Sequence, residues 1–138
     1  MSLIAELFLA ANDGEAARYE TAANTFADRE QFGGIMTLTL STLWAILENK
    51  TWEDRFLDDF ENVVEKDGGL PTIDRLPPAF VEGLAGLTPD RIREVAEEWA
   101  ATEEMMCDGE DLRPVIEGLV RISRLAKTKG QNVYLYNC

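Results

Sequence analysis

Hydrophobic and polar residues alternate over three short stretches of the chain, and this two-residue period predicts β-strands. The first stretch covers residues 3–9, where apolar side chains fall on both faces, as in a strand inside a sheet. The second covers residues 35–39, a partly β-branched segment that follows two glycines. The third covers residues 133–136. We therefore predict strands near both termini and a further strand in the first third of the chain.

Between these strands, apolar residues recur every three or four positions, which predicts helices. Asn12 or Asp13 is a suitable N-cap for a short helix over residues 13–20. Ser41 is placed to cap a helix over residues 42–49. That helix is so apolar that we expect it to be buried on most sides.

The next helix is predicted to begin at Thr51, with Asp54 in an imperfect capping box. Its apolar residues run from Phe56 to Val64 at three- and four-residue spacing, which indicates one buried face. Two glycines at positions 68 and 69 are suited to the turn that ends a helix. We therefore predict one continuous helix in this part of the chain.

Three more helices are predicted in the second half. A proline pair opens a short helix over residues 78–87. Thr88 followed by Pro89 is the clearest start signal in the chain, since threonine caps well and proline suits the first helical position. The last helix begins within residues 108–111 and ends at Gly130.

These predictions combine into an α+β fold. A small sheet formed by strands near both termini and by residues 35–39 would be covered by five or six helices. A mostly α-helical bundle with extended ends is the alternative. The 138 residues show no repeat, linker or low-complexity tract, so we predict that residues 1–138 form a single globular domain.

Three segments resemble the YfbM-like family of small bacterial proteins of unknown function. They are MSLIAELFLA in the first predicted strand, STLWAILEN in a tryptophan-bearing predicted helix, and NVYLY after the last helix. The resemblance implies a bacterial protein of similar fold. It implies no particular activity and no site residues.

Charge is the strongest compositional feature. The net charge is −13, and residues 51–109 hold 16 of the 26 acidic side chains but 5 of the 13 basic ones. Nucleic acids and anionic membranes are bound through lysine and arginine, so an acidic surface disfavours both as partners. With no apolar run near 20 residues and no basic segment at the start, we expect a cytoplasmic protein.

Several chemistries are excluded by composition. The chain has no histidine, which excludes Ser–His–Asp and Cys–His nucleophilic sites and histidine-ligated zinc. Its two cysteines, Cys107 and Cys138, are too few for a four-cysteine metal site, and we expect free thiols. The glycine pairs lack the spacing of a phosphate-binding loop. We therefore expect no cofactor and no metal, and we assign no catalytic residue.

Carboxylates are the one plentiful reactive group. Glu94 and Glu98 lie one helical turn apart and could share a divalent cation, with oxygens added by Asp58 and Asp59. Arg91 lies three residues before Glu94, so ordinary ion pairs on a solvated face explain the pattern as well. A carboxylate-based enzyme, with or without a divalent metal, is therefore kept as the alternative function.

The favoured hypothesis is a non-catalytic protein-binding module whose acidic surface contacts a basic partner. Its concrete form is an immunity-like or antitoxin-like inhibitor of a cationic nuclease, in which acids stand where substrate phosphates would stand. Trp52 would supply an apolar anchor. The candidate contact residues are Trp52, Asp54, Asp58, Asp59, Glu61, Glu65, Glu94, Glu97 and Glu98.

Overall fold

A computed structural model describes residues 4–19, 26, 28–65, 71–103, 105 and 107–138. Its strands are β1 (Ile4–Ala10), β2 (Arg29–Gly33), β3 (Glu61–Glu65), β4 (Thr72–Arg75) and β5 (Asn132–Asn137). Its helices are α1 (Asp13–Ala16), α2 (Thr37–Leu47), α3 (Asp54–Asp58), α4 (Pro78–Ala85), α5 (Pro89–Ala100) and α6 (Gly109–Lys129). These elements confirm the predicted α+β class, and the alternative of a mostly α-helical bundle is wrong.

The five strands form one antiparallel sheet in the order β2-β1-β5-β4-β3. The strands from the two ends of the chain lie side by side in this sheet, with Leu7 of β1 directly opposite Leu135 of β5. The prediction that one sheet joins both termini is therefore confirmed. Residue 3, where the first strand was predicted to begin, lies outside the described residues.

The main core lies between one face of this sheet and the helices. Leu7, Leu9 and Leu135 alternate along their strands onto that face, and each is buried. Trp99 of α5 and Ile116 of α6 are fully buried in the same cluster. Since complete burial of a large apolar side chain contributes about 1.5–3 kcal/mol, this layer of helices on a sheet is the main source of stability.

Aromatic side chains cover part of the other sheet face. Phe8 stacks on Tyr19 with ring centroids 3.9 Å apart, and Tyr134 lies 5.6 Å from Phe8. The Tyr134 hydroxyl donates a hydrogen bond of 2.8 Å to Asp13 Oδ1, and Asp13 lies 3.5 Å from the guanidinium of Arg75. Burial raises the pKa of Tyr134 to about 12. These contacts hold α1 against the sheet.

The predicted strand at residues 35–39 is wrong, because α2 begins at Thr37. The Thr39 hydroxyl accepts a hydrogen bond from the Met36 backbone N–H (2.8 Å) and donates one to the Met36 carbonyl (2.7 Å). This side-chain cap starts the helix, so local β-propensity is overridden. Ser41 is correspondingly not the N-cap, since its hydroxyl donates within the helix to the Leu38 carbonyl (2.6 Å).

The outer partner of β1 is instead β2, which lies at the edge of the sheet and pairs antiparallel with β1. Three of its five residues, at positions 29–31, are polar, so it carries no apolar alternation that could have predicted a strand. Phe32 packs against α6 at Gly118, where an added Cβ would lie 2.9 Å from Phe32 Cζ. This close approach holds the edge strand against the long helix.

The prediction of one continuous helix from Thr51 to the glycines at positions 68 and 69 is also wrong. The structure has the short helix α3 and then the strand β3, which pairs with β4 in an antiparallel hairpin. Phe56 lies in α3 and Phe60 lies just before β3, and both are buried. Their four-residue spacing therefore looks helical although no continuous helix joins them. The β-branched Val63 and Val64 favour the strand.

The predictions for the second half are largely confirmed. Helices α4, α5 and α6 lie where they were predicted. The Thr88 hydroxyl accepts a hydrogen bond from the Arg91 backbone N–H at 3.2 Å, as expected for the N-cap of α5. Gly130 ends α6 with a φ of 65°, in the left-handed region that glycine adopts without strain.

Two predictions in the first half have other outcomes. Asn12 is the N-cap of the first helix, but α1 covers only Asp13–Ala16 and is shorter than predicted. The glycines at positions 68 and 69 lie outside the described residues. No helix in the described ranges is long and apolar enough to cross a membrane.

Candidate functional site

Trp52 lies on the surface but is held in place. Its side chain is 36% exposed, and its indole Nε1 donates a hydrogen bond of 2.9 Å to Ser41 Oγ. Ser41 is completely buried in α2 and donates in turn to the Leu38 carbonyl. The indole is therefore fixed at its polar edge while part of its apolar ring faces solvent.

Two further exposed apolar side chains lie at the start of α2. Met36 is 47% exposed and Leu38 is 41% exposed. The backbone carbonyl of Leu38 accepts a hydrogen bond from Ser41, the residue that also accepts one from the Trp52 indole.

Three exposed carboxylates follow Trp52 along the chain. Asp54 and Asp58 are four residues apart in α3, which places them on the same side of that helix, and Asp59 is its C-cap. In the part of the chain that the structure describes, none of the three forms an ion pair. We call Trp52, Asp54, Asp58 and Asp59 the acidic face.

Arg55, the one basic residue in positions 51–65, is already engaged. Arg55 lies 3.1 Å from the carboxylate of Glu53 and 4.1 Å from the centroid of the Phe56 ring. Its charge is thus partly balanced by Glu53, and its planar group covers a buried aromatic ring. The acidic face therefore keeps its negative charge.

Glu61 and Glu65 do not extend this face. The carboxylate of Glu61 forms an ion pair with Arg75, which also approaches Asp13. Glu65 lies at the end of β3, and its side chain is outside the described part of the structure. Glu61 is therefore a partner within the sheet rather than a free charge.

The acids of α5 are likewise mostly balanced. Arg91 lies 3.2 Å from Glu94 and 3.6 Å from Glu98, which matches the ion-pair interpretation of this cluster. Glu97 is exposed and lines a cleft with Asp108 at the start of α6. Glu61, Glu94 and Glu98 are therefore paired with arginines, whereas Asp54, Asp58, Asp59 and Glu97 form no ion pair among the described residues.

The described residues lack the convergence that a metal site requires. Among them, no three cysteine, aspartate or glutamate side chains come close enough together to hold a metal ion. The shared-cation arrangement of Asp58 and Asp59 with Glu94 and Glu98 is thus not seen there. Cys107 and Cys138 are exposed free thiols, as predicted.

Comparison of the chain with protein-family models, curated proteins and solved structures gave no match. The resemblance to the YfbM-like family therefore stays a prediction.

Sequence reasoning found Trp52 and the three aspartates but missed Met36, Leu38 and Ser41. The first two were placed in a strand, and Ser41 was interpreted as a helix cap. A hydroxyl that accepts a hydrogen bond from an indole eleven residues away carries no local signal, so only the folded chain reveals this support.

Proposed function

We propose that this chain is a bacterial, cytoplasmic protein-binding module whose acidic face binds a basic protein. In its concrete form it is an immunity-like or antitoxin-like inhibitor of a cationic nuclease. The observation that carries the proposal is a set of three exposed aspartates, without ion pairs among the described residues, that follow within seven positions of a surface tryptophan whose indole is fixed by a buried serine.

The two parts of the acidic face have different physical roles. Asp54, Asp58 and Asp59 attract a cationic surface over a distance comparable to the Debye length and so raise the association rate. Trp52 buries apolar surface in the complex and so slows dissociation. The hydrogen bond to Ser41 restricts the indole before binding, which lowers the entropy lost when the partner docks.

A basic protein suits this surface better than the other charged partners. Nucleic acids and anionic membranes present the same sign of charge as the aspartates and would be repelled. A nuclease surface that binds phosphates is rich in lysine and arginine, so carboxylates can occupy the positions of those phosphates.

The test compares two triple charge reversals. The first variant carries Asp54→Lys, Asp58→Lys and Asp59→Lys, and the control carries Glu94→Lys, Glu97→Lys and Glu98→Lys. Each change of an acid to lysine raises the net charge by two units, so the three changes in each variant raise it from −13 to −7. They therefore differ in the location of the change and not in its size.

Proteins captured from a bacterial lysate by the immobilised wild type are identified by mass spectrometry, and affinities are then measured with the purified basic protein. We expect the first variant to lose at least 100-fold in affinity, the control to stay within about threefold, and wild-type affinity to fall as salt rises. Equal losses in both variants, or no loss in the first, would overturn the proposal.

A third variant, Trp52→Ala, separates the anchor from the charges. We expect a faster dissociation rate with a nearly unchanged association rate, measured by surface plasmon resonance. A change confined to the association rate would contradict the role assigned to Trp52. Circular dichroism of every variant checks that the fold is retained.

A further inference from the structure

A groove of about 390 Å³ is lined by residues of α5 and α6. All of these residues come later in the chain than the acidic face. The volume of the groove lies within the range of roughly 300–1,000 Å³ that is typical of small-molecule sites. Three of the side chains that line it are apolar and four are polar or charged. They are Ile92, Val120 and Leu125, and Glu117, Arg121, Arg124 and Thr128.

Arg124 is held in a fixed orientation at this groove. Its Nε donates to the carbonyl of Ala85, the last residue of α4, at 2.9 Å, and its Nη2 donates to the carbonyl of Leu87, just after that helix, at 2.8 Å. These carbonyls orient the guanidinium but carry no formal charge. Within the described ranges, Arg124 forms no ion pair with a carboxylate, so its positive charge is uncompensated.

The other two charged residues of the groove are balanced by neighbours. Arg121 donates to the carboxylate of Glu30 through its Nε at 2.6 Å and also through Nη2. Glu117 forms an ion pair of 3.7 Å with Arg113, which lies one turn before it on α6. Among the described residues that line the groove, Arg124 is therefore the one charged side chain without an oppositely charged partner.

We propose that this groove binds a small amphipathic anion that has one carboxylate and a hydrocarbon body. The carboxylate would accept hydrogen bonds from the Nη1 group of Arg124, which the two carbonyls leave unused. The hydrocarbon would lie against the half-buried side chains of Ile92 and Leu125 and remove their remaining exposed surface from water.

Size and charge favour a small monoanion over a protein segment. An acidic macromolecule would be repelled by the net charge of −13. A single carboxylate in the groove lies within the Debye length of Arg124, so its attraction to this arginine is screened less than its repulsion by distant acidic residues. A single uncompensated guanidinium also matches one negative charge. This proposal is independent of the acidic face, because it uses none of the same residues.

The probe is decanoate, used below its micelle concentration and titrated calorimetrically into the wild-type protein. Decanol, which keeps the chain but has no charge, and acetate, which keeps the carboxylate but has no chain, are the ligand controls. We expect saturable 1:1 binding of decanoate and at least tenfold weaker binding of both controls.

Protein variants test the location. Arg124→Gln removes the charge, and Thr128→Trp fills the groove from an exposed position without touching the bonds to α4. Lys127→Gln is the matched control, since it removes one cation from the same helix outside the groove and breaks only an exposed ion pair with Glu82. We expect decanoate affinity to fall at least tenfold in the first two variants and to change less than twofold in the control.

Three results would overturn the proposal: no saturable binding to the wild type, equal binding of decanol and decanoate, or equal losses in Arg124→Gln and Lys127→Gln. If Arg124→Gln fails to fold because α4 loses its end contacts, Thr128→Trp still decides the question. Wild-type melting temperature should rise with decanoate concentration, as expected for a ligand that binds the folded state.

Discussion

Trp99 and Thr42 are 57 residues apart in sequence, and the indole Nε1 of Trp99 donates a buried hydrogen bond of 3.1 Å to Thr42 Oγ1. Ser41, the residue before Thr42, accepts the equivalent bond from Trp52. Two adjacent hydroxyls of α2 thus accept hydrogen bonds from two tryptophans. One tryptophan is buried in the core and the other belongs to the acidic face.

The Trp99–Thr42 bond predicts a specific stability loss. Thr42→Val keeps the shape of the side chain but leaves the buried indole N–H without an acceptor, which should lower the free energy of unfolding by about 1–3 kcal/mol. Urea denaturation measures the change. Thr42→Ser retains a hydroxyl and should lose clearly less; equal losses would show that the hydrogen bond is not the cause.

The Trp52–Ser41 bond predicts a local effect. In Ser41→Ala the Trp52 indole N–H loses its partner, so its hydrogen exchange with solvent should become faster, while that of Trp99 should not change. Two-dimensional NMR of the indole N–H groups measures both in one sample. An unchanged Trp52 exchange rate would contradict the idea that Ser41 holds the anchor in place.

The Tyr134 hydroxyl predicts a loss of stability at alkaline pH. The pKa of Tyr134 in the folded protein is about 12, against an ordinary value of 10.0, so the unfolded chain releases this proton first as the pH rises. Stability therefore falls between about pH 10 and 12, by an amount on the order of 1.4 kcal/mol per pH unit at most. The variant Tyr134→Phe has no hydroxyl at this position, so its free energy of unfolding should lack this contribution to the fall with pH.

The measurement is the free energy of unfolding in urea at about pH 8 and about pH 11 for both proteins, on either side of the ordinary tyrosine pKa. At the lower pH the wild type should be the more stable, because Tyr134 donates to Asp13. Its advantage should shrink at the higher pH. A difference between the proteins that stays constant with pH would argue against a raised pKa.

Two glycines predict opposite effects of the same substitution. At Gly83 in α4, a new Cβ would lie 3.7 Å from Leu47 Cδ1, an ordinary contact, so Gly83→Ala should stabilise the helix by about 0.4–1 kcal/mol. Gly130 has a φ of 65° with open space around it, so Gly130→Ala should destabilise through backbone strain of about 1–2 kcal/mol. Thermal unfolding compares the two, and a stabilising Gly130→Ala would refute the strain argument.

Local signals predicted the second half of the chain well. Thr88 and Pro89 place the start of α5, and Gly130 places the end of α6, because capping and left-handed turns depend on a few adjacent residues. The same reasoning failed at residues 35–39 and 51–64. At residues 35–39 the local cap from Thr39 outweighed the β-pattern, and after residue 60 the pairing of β3 with β4 selected a strand.

The acidic face was predicted only in part. The excess of carboxylates and the position of Trp52 can be read from the sequence, since both are local properties. Which acids stay uncompensated depends on the partners that folding brings to them. Arg75 reaches Glu61 from a neighbouring strand, whereas Asp58 and Asp59 meet no cation among the described residues.

The sequence by itself determined the α+β class, the presence of both terminal strands in one sheet and the location of the acidic segment, because these follow from hydrophobic period and composition. Only the tertiary structure decided that α2 begins at Thr37, that Ser41 supports Trp52, and that Arg124 lines a mixed groove with no carboxylate partner among the described residues. The physical reason is that the support of Trp52 and the orientation of Arg124 depend on hydrogen bonds between residues 11 and 37–39 positions apart, where no local propensity acts, whereas the start of α2 depends on a local cap from Thr39 that the alternating pattern concealed.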